Sequence, residues 1–219
     1  SRARHLVFIS TDFVYDPTRR RFPQSVAADV YVPPGPGSLD YGYHKRQCEV
    51  ALRDADTGAM KWTILRPCHI YGFPSQLGCL PLHGRDPQLI PLMRAGKPVR
   101  LVGGDHFLQQ PILSSDLAGL ILSMAGREAT FGQVYNAAGP DVIESRRYYE
   151  IIAEVLGVPL RVEEEPVHAY LAANPDKAPF LCHRIYDLSR LRALSLATPA
   201  TPIEAGLRQH VEDLLAHAK

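Results

Sequence analysis

The sequence predicts an α/β fold, a parallel sheet built from strand–helix–strand units followed by a small mixed C-terminal lobe. Three observations carry this. Short apolar runs rich in β-branched residues end in polar loops and alternate with segments of helical spacing, the order that builds parallel sheets. The helical segments carry stop signals of their own, such as Gly157 and then Pro159 after Leu156. Hydrophobic residues make up 46% of the 219 positions, enough to bury a substantial core without metals or disulfides.

Taken in order, His5-Leu6-Val7-Phe8-Ile9 reads as a buried strand closed by Ser10-Thr11-Asp12. A Pro/Gly loop (Pro33-Pro34-Gly35-Pro36-Gly37) leads into a helix over residues 38–56, capped by Ser38 or Asp40, and Trp62–Leu65 is the next strand. A helix over Pro87–Ala95, a short strand at Val99–Val102 ended by Gly103-Gly104, and an apolar helix over Ser115–Met124 follow. Val134–Ala137 reads as a strand, Ser145–Leu156 as a helix whose apolar residues share one face, Leu160–Val162 as a strand, Asn174-Pro175 as a loop, and Pro202–Ala216 as a last helix.

Balanced charge, 24 Lys+Arg against 23 Asp+Glu, argues against a polyanion-binding surface spread over the protein. No apolar run approaches the roughly 18 residues of a membrane span. Cys48, Cys68, Cys79 and Cys182 form no CxxC or CxxH pair, and the nine histidines show no HxH or HxxxH spacing, so neither a disulfide framework nor a metal site is expected. A cytoplasmic location is the expectation. The start, Ser1-Arg2-Ala3-Arg4 with neither Met nor a signal segment, reads as cut.

Chemistry concentrates at Asp40-Tyr41-Gly42-Tyr43-His44-Lys45. Tyr41 and Lys45 stand four residues apart, on one helix face. A phenol titrates near pH 10, and a neighbouring ammonium favours its ionised form, so the two can form an acid/base pair. The plainer reading is a packing tyrosine beside a solvated lysine. Ser10 and Thr11 favour the first reading, because they stand at the end of the preceding strand, where open α/β sheets assemble their sites.

The order of these parts resembles the extended short-chain dehydrogenase/reductases, the NAD-dependent epimerase/dehydratase family. The matching pieces are Phe8-Ile9-Ser10-Thr11-Asp12-Phe13-Val14-Tyr15, Tyr41-Gly42-Tyr43-His44-Lys45, Leu65-Arg66-Pro67-Cys68-His69-Ile70-Tyr71-Gly72, Ser115-Asp116-Leu117-Ala118 and Val134-Tyr135-Asn136-Ala137-Ala138-Gly139. They cover about the first two-thirds of the chain. The resemblance implies the C-terminal half of a Rossmann-type doubly wound parallel sheet with a small mixed α/β substrate lobe. Residues 1–75, with parts of 105–140 returning, would be the second half of a dinucleotide-binding domain, and 76–219 mainly the substrate lobe. It implies Thr11, Tyr41 and Lys45 as catalytic residues, with Tyr41, Lys45, Pro67, Cys68 and His69 as contacts to NAD or NADP. Ser10, Asp12, Gln109 and Arg184 are the candidates for substrate contacts. His69 reads equally as a loop histidine with a satisfied hydrogen bond. Many relatives pair as dimers, so a homodimer is expected from the resemblance.

The family's glycine-rich phosphate turn is not in these 219 residues. At about 30 residues per βαβ unit, the missing half of the sheet corresponds to roughly 90 residues, and the expectation is a fragment or a truncated product. Departures bear on the reaction. Dehydratases of the family place a Glu directly after the Thr-Asp pair, where this chain has Phe13, so dehydration is disfavoured and epimerisation or reduction of a nucleotide-linked sugar is expected. The arginine that commonly clamps a substrate diphosphate is replaced by Gln109-Gln110-Pro111. Arg184 is a candidate replacement, with a solvated charge or structural ion pair as its plainer role. Arg19-Arg20-Arg21 reads as solvent-facing and Glu163-Glu164-Glu165 as a solvated turn. Two rival functions remain at this stage: a non-catalytic binding member of the fold, for RNA or a regulatory partner, and an inactive fragment.

Overall fold

The computed structural model describes residues 3–27, 30–35 and 38–217. The expectations for Ser1, Arg2, Pro36, Gly37 and the capping side chain of Ser38 lie outside the described residues.

Strand β1 (His5–Ile9) ends in a single 3-10 turn over Asp12–Val14, capped by Thr11, whose hydroxyl accepts the Phe13 N–H at 3.3 Å. Helix α1 (Ser38–Asp54) carries Asp40 in its first turn, where a carboxylate suits the positive end of the helix dipole. It leads to β2 (Lys61–Pro67) and the two-residue β3 (Ile70–Tyr71). Then come α2 (Leu89–Arg94), β4 (Val99–Val102), β5 (Leu108–Gln109), β6 (Ile112–Leu113) and α3 (Ser114–Met124). The chain continues through β7 (Gln133–Ala137), β8 (Ile143–Glu144), α4 (Ser145–Leu156), β9 (Val162–Glu165), α5 (Val167–Ala173), α6 (Ser189–Arg192) and α7 (Ile203–Ala216). Gly157, at φ +68°, closes α4 in the left-handed conformation the sequence signal asked for.

The main sheet is parallel, in the order β1-β2-β7, with Ile9 opposite Leu65 and Leu65 opposite Tyr135. Its middle strand is buried from Thr63 to Pro67, as a strand covered on both faces must be. Arg66 is the charged residue in this buried stretch. Its guanidinium is fully buried and held by Glu49 through Nε at 2.9 Å and Nη2 at 2.6 Å, with a third bond to the Tyr15 hydroxyl at 3.0 Å. Three small pairings, β3 with β6 and β4 with β9 in parallel and β5 with β8 antiparallel, extend the fold into the C-terminal lobe.

Two apolar cores result. One, around Leu65, Ile112, Leu120, Met124 and Tyr135, underlies the main sheet and also takes in Tyr186, Leu188 and Leu191. The other, around Leu89, Met93, Leu101, Tyr149, Ile152, Leu207 and Val211, fills the lobe and is where α4 meets α7.

The structure corrects several sequence expectations. Glu163-Glu164-Glu165 is not a turn but most of β9, its backbone paired with Arg100–Val102. An edge strand can expose carboxylates on alternate sides while β4 satisfies its N–H and C=O groups. That strand begins at Val162, two residues later than expected, and the loop around Asn174-Pro175 contains a 3-10 turn over Pro175–Phe180. Arg20 does not face solvent: its side chain is 2% exposed, lies 3.7 Å from the Asp12 carboxylate and donates to the Tyr186 hydroxyl at 3.1 Å. Only Arg19 and Arg21 of that run are exposed, which removes the middle charge from any phosphate-binding surface built on it.

Candidate active site

The ends of β1 and β2, the first turn of α1, the 77–86 loop, β5 and the segment around Arg184 enclose a cleft of about 470 Å³. All ten residues singled out in the sequence line it: Ser10, Thr11, Asp12, Tyr41, Lys45, Pro67, Cys68, His69, Gln109 and Arg184. Leu80, Gly84 and Arg85 join them from the loop.

Helix α1 reaches the cleft because of Gly42. A Cβ at that position would collide with the carbonyl oxygen of Phe13, so the helix lies directly on the turn that follows β1. Tyr41 stands beside this contact, half exposed, its ring edge-on to Phe13 with centroids 6.1 Å apart. One turn later Lys45 donates from Nζ to the Ile9 carbonyl at 3.0 Å and lies 5.2 Å from the Phe8 ring centre. An ammonium has three donors, so this bond leaves two for a ligand.

Thr11 is buried and its hydroxyl accepts from Phe13. Its contact with Asp12 Oδ1 is long, at 3.5 Å, which leaves its proton available to a ligand oxygen. Asp12 is engaged through Oδ2. Arg184 Nη1 lies 2.5 Å from Oδ2, and the Tyr186 hydroxyl donates to the same oxygen. Burial pushes this carboxyl up, but Arg184, Arg20 and the bonds from Tyr186 and Arg184 outweigh it and hold it below the ordinary value.

Arg184 thereby makes the buried ion pair of its plainer sequence reading while still lining the cleft, its Nε without a partner among the described residues. It gives a second bond to the Pro179 carbonyl at 3.3 Å, and its guanidinium lies 4.6 Å from the Phe13 ring centre. The cation left over is Arg85, which the sequence did not single out. It is exposed, has no ion-pair partner among the described residues, and adopts φ +68°, a conformation rare for a residue with a side chain. Only the loop geometry reveals it.

Along the β2 end, Cys68 donates its thiol to the Gln110 carbonyl at 2.7 Å, and burial, with Asp12 adding to it, raises its pKa well above the usual value. It is a packed thiol, not a nucleophile. Burial, reinforced by Arg85, lowers His69 to about 4, so the imidazole is neutral at pH 7. Gln109 is 1% exposed and its Nε2 has no partner among the described residues, while Gln110 is consumed by Gly139 and Tyr186. An orphaned buried donor on a cleft wall suits an acceptor on a ligand.

The family model of the NAD dependent epimerase/dehydratase family matches residues 1–138. The chain belongs to this family. Its fold is shared with solved epimerases and dehydratases. A UDP-N-acetylglucosamine 4-epimerase from Methanobrevibacter ruminantium, solved with UDP-N-acetylmuramic acid, superposes with a TM-score of 0.76 at 21% identity, covering 97% of this chain and 63% of that one. The UDP-glucose 4-epimerase of Thermotoga maritima, solved with UDP-glucose, gives 0.76 at 20% identity over 99% and 65%. A dTDP-glucose 4,6-dehydratase from Bacillus anthracis, solved with NAD, gives 0.70 at 17% over 97% and 62%. The chain thus spans less than two-thirds of these relatives. No curated protein sequence matches it.

The epimerase/dehydratase architecture places a parallel, Rossmann-type sheet under the cleft. The residues present fit the nicotinamide–ribose end of a dinucleotide, since Lys45, with donors to spare, lines the same cleft as Pro67, Cys68 and His69. A glycine-rich turn to cradle the pyrophosphate is not found among the described residues. Neither a helix long and apolar enough to cross a membrane nor a group of three metal-binding side chains occurs among them.

Proposed function

We propose that this cleft belongs to an NAD(P)-dependent epimerase or reductase acting on a sugar, nucleotide-linked as in the substrates named for the solved relatives. The observation that carries the reading is the convergence of Thr11, Tyr41 and Lys45, from a strand end and a separate helix, on one cleft. Tyr41 moves the proton at the reacting oxygen. Thr11 donates to that same oxygen, its hydroxyl oriented in part by the bond it accepts from the Phe13 N–H. Lys45, anchored on Ile9, directs its remaining donors to the ribose. The nicotinamide, when bound, supplies the hydride acceptor or donor.

Phe13 stands where a carboxylate base would serve water elimination, which favours epimerisation or reduction over dehydration. The substrate's anionic part is met by Arg85 and its neutral acceptors by Gln109, while Arg184 is spent on Asp12. Two observations weigh against an RNA-binding role: the burial of Arg20 and the burial of Arg184 in its ion pair with Asp12.

The test is turnover by the complete native protein, with NAD+ or NADPH and a panel of UDP- and dTDP-sugars, against Tyr41→Phe. A loss of about 10²–10⁴-fold in kcat is expected. Unchanged turnover in the variant would overturn the role of Tyr41.

A further inference from the structure

Tyr41 presents a problem of orientation. Its ring is half exposed on the first turn of a helix, and its one ring contact among the described residues is the edge of Phe13. A side chain in that situation keeps rotamer freedom unless something fixed stands against it. Phe13 is such a body. Its ring meets Phe180 edge-on at 5.8 Å and carries the Arg184 guanidinium at 4.6 Å from its centre. The guanidinium itself is tied at two points, to Asp12 and to the Pro179 carbonyl. Arg184 is drawn into place by its own backbone as well, its N–H donating to the Leu108 carbonyl at 2.7 Å. A planar group fixed in this way stacks on a ring as a lysine cannot.

We propose that Phe13 and Arg184 are positioning residues for Tyr41, a stack through which the C-terminal segment 179–186 sets the direction of a phenol on α1. The role assigned to Tyr41 rests on the function proposed above; the mechanical link from residue 184 to residue 41 does not. Arg184 is not among the ring contacts of Tyr41, and the link proposed between residues 184 and 41 runs through the Phe13 ring. The ion pair to Asp12 is only half of what Arg184 does, and the flat face of its side chain is the other half.

The experiment places 3-fluorotyrosine at position 41 of the complete native protein and reads its fluorine resonance, without substrate or cofactor. Wild type is expected to give one narrow line. Arg184→Lys keeps a cation for Asp12 but loses the flat face, and a shifted, broadened or split line is expected. Phe13→Leu should do the same, and Phe13→Tyr, which keeps the ring, should restore the single line. Leu120→Ala opens a cavity in the sheet core away from the cleft; it lowers the melting temperature and should leave the resonance where it was. A wild-type line in both Arg184→Lys and Phe13→Leu overturns the proposal, as does a line moved equally by Leu120→Ala. Should Phe13→Leu fail to fold, Arg184→Lys and Phe13→Tyr decide it between them. Because the readout needs no turnover, an active Tyr41→Phe variant would end the catalytic reading and leave this one standing.

Discussion

Asp12 and Asp105 make an instructive pair. Each is buried just beyond the C-terminal end of a parallel strand, β1 and β4. Asp12 is surrounded by Arg184, Arg20 and Tyr186 and is held ionised, below its ordinary pKa. Asp105 sits at φ +62° after two glycines of positive φ, and neither carboxylate oxygen has a hydrogen-bond partner among the described residues. Its neighbour Ser145 gives its hydroxyl to the Phe107 carbonyl at 2.9 Å. Burial pushes Asp105 up to about 8. Two carboxyls of similar burial thus hold opposite charge states at pH 7, and what separates them is the presence of guanidinium groups. Asp12 is framework around which the cleft is built; Asp105 is a neutral acid in a strained turn.

The sharpest way to break the comparison is to remove Arg184. Arg184→Met leaves Asp12 buried with its best partner gone and should cost about 3–5 kcal/mol in urea unfolding at pH 7. Adding Asp12→Asn should recover part of that loss, because a buried pair is costlier to halve than to replace. If the single variant unfolds like wild type, Asp12 is not framework.

A pH series is the next largest effect, and the two residues carry opposite signs. Asp105 has a folded pKa above its unfolded value near 4, so its contribution is complete below about pH 4 and is lost as pH rises toward 8. Wild type should therefore lose about 2–3 kcal/mol between pH 5 and pH 7 that Asp105→Asn does not lose. Asp12 is depressed, so its contribution is present above about pH 4 and is lost as pH falls through the lower folded value. Parallel stability curves for wild type and Asp105→Asn would show that Asp105 is not neutral in the fold.

Gly42→Ala asks whether the turn holding Asp12 can yield. The new Cβ meets the Phe13 carbonyl oxygen, and a loss of about 1–3 kcal/mol is expected by thermal unfolding. The smallest effect belongs to charge pairing in water. Arg147 bonds to Glu154 at 2.5 Å and Glu204 at 2.8 Å, but both carboxylates are more than half exposed. Arg147→Ala should cost no more than about 1 kcal/mol, and less at high salt.

Most of the fold was legible from local pattern. The apolar run at His5–Ile9 and the helix stop at Gly157 each act within a few residues, and the structure follows them. The two-residue strands did not announce themselves, because periodicity needs more length than Ile70–Tyr71 or Leu108–Gln109 provide. Glu163–Glu165 was misread because its strand character comes from β4, some sixty residues upstream. In the cleft, most of the predicted residues converged because they lie at strand ends or on the first turns of a helix, positions that sequence order reveals; Arg184 comes instead from an irregular segment and is drawn in by Asp12. Arg85 was not legible, since nothing local marks a loop arginine that faces a cleft, and the burial of Arg20 depends on Tyr186, 166 residues away, as well as on Asp12 close by. Gly42 did leave a trace: a glycine inside a helix costs about 1 kcal/mol against alanine, and a helix that bears such a cost has a reason to come close to something.

That closeness divides the protein's freedom to change. The seat of α1 on the Phe13 carbonyl is main chain against main chain, so it is written in no side chain except the missing one at Gly42. Loop residues such as Leu80 and Arg85, or Gln109 on its short strand, can be exchanged without touching that seat. A library randomised at those walls would vary what the protein accepts while Tyr41 and Lys45 stay in register with Thr11. Position 42, like the site residues it holds in register, is a place such a library must leave alone.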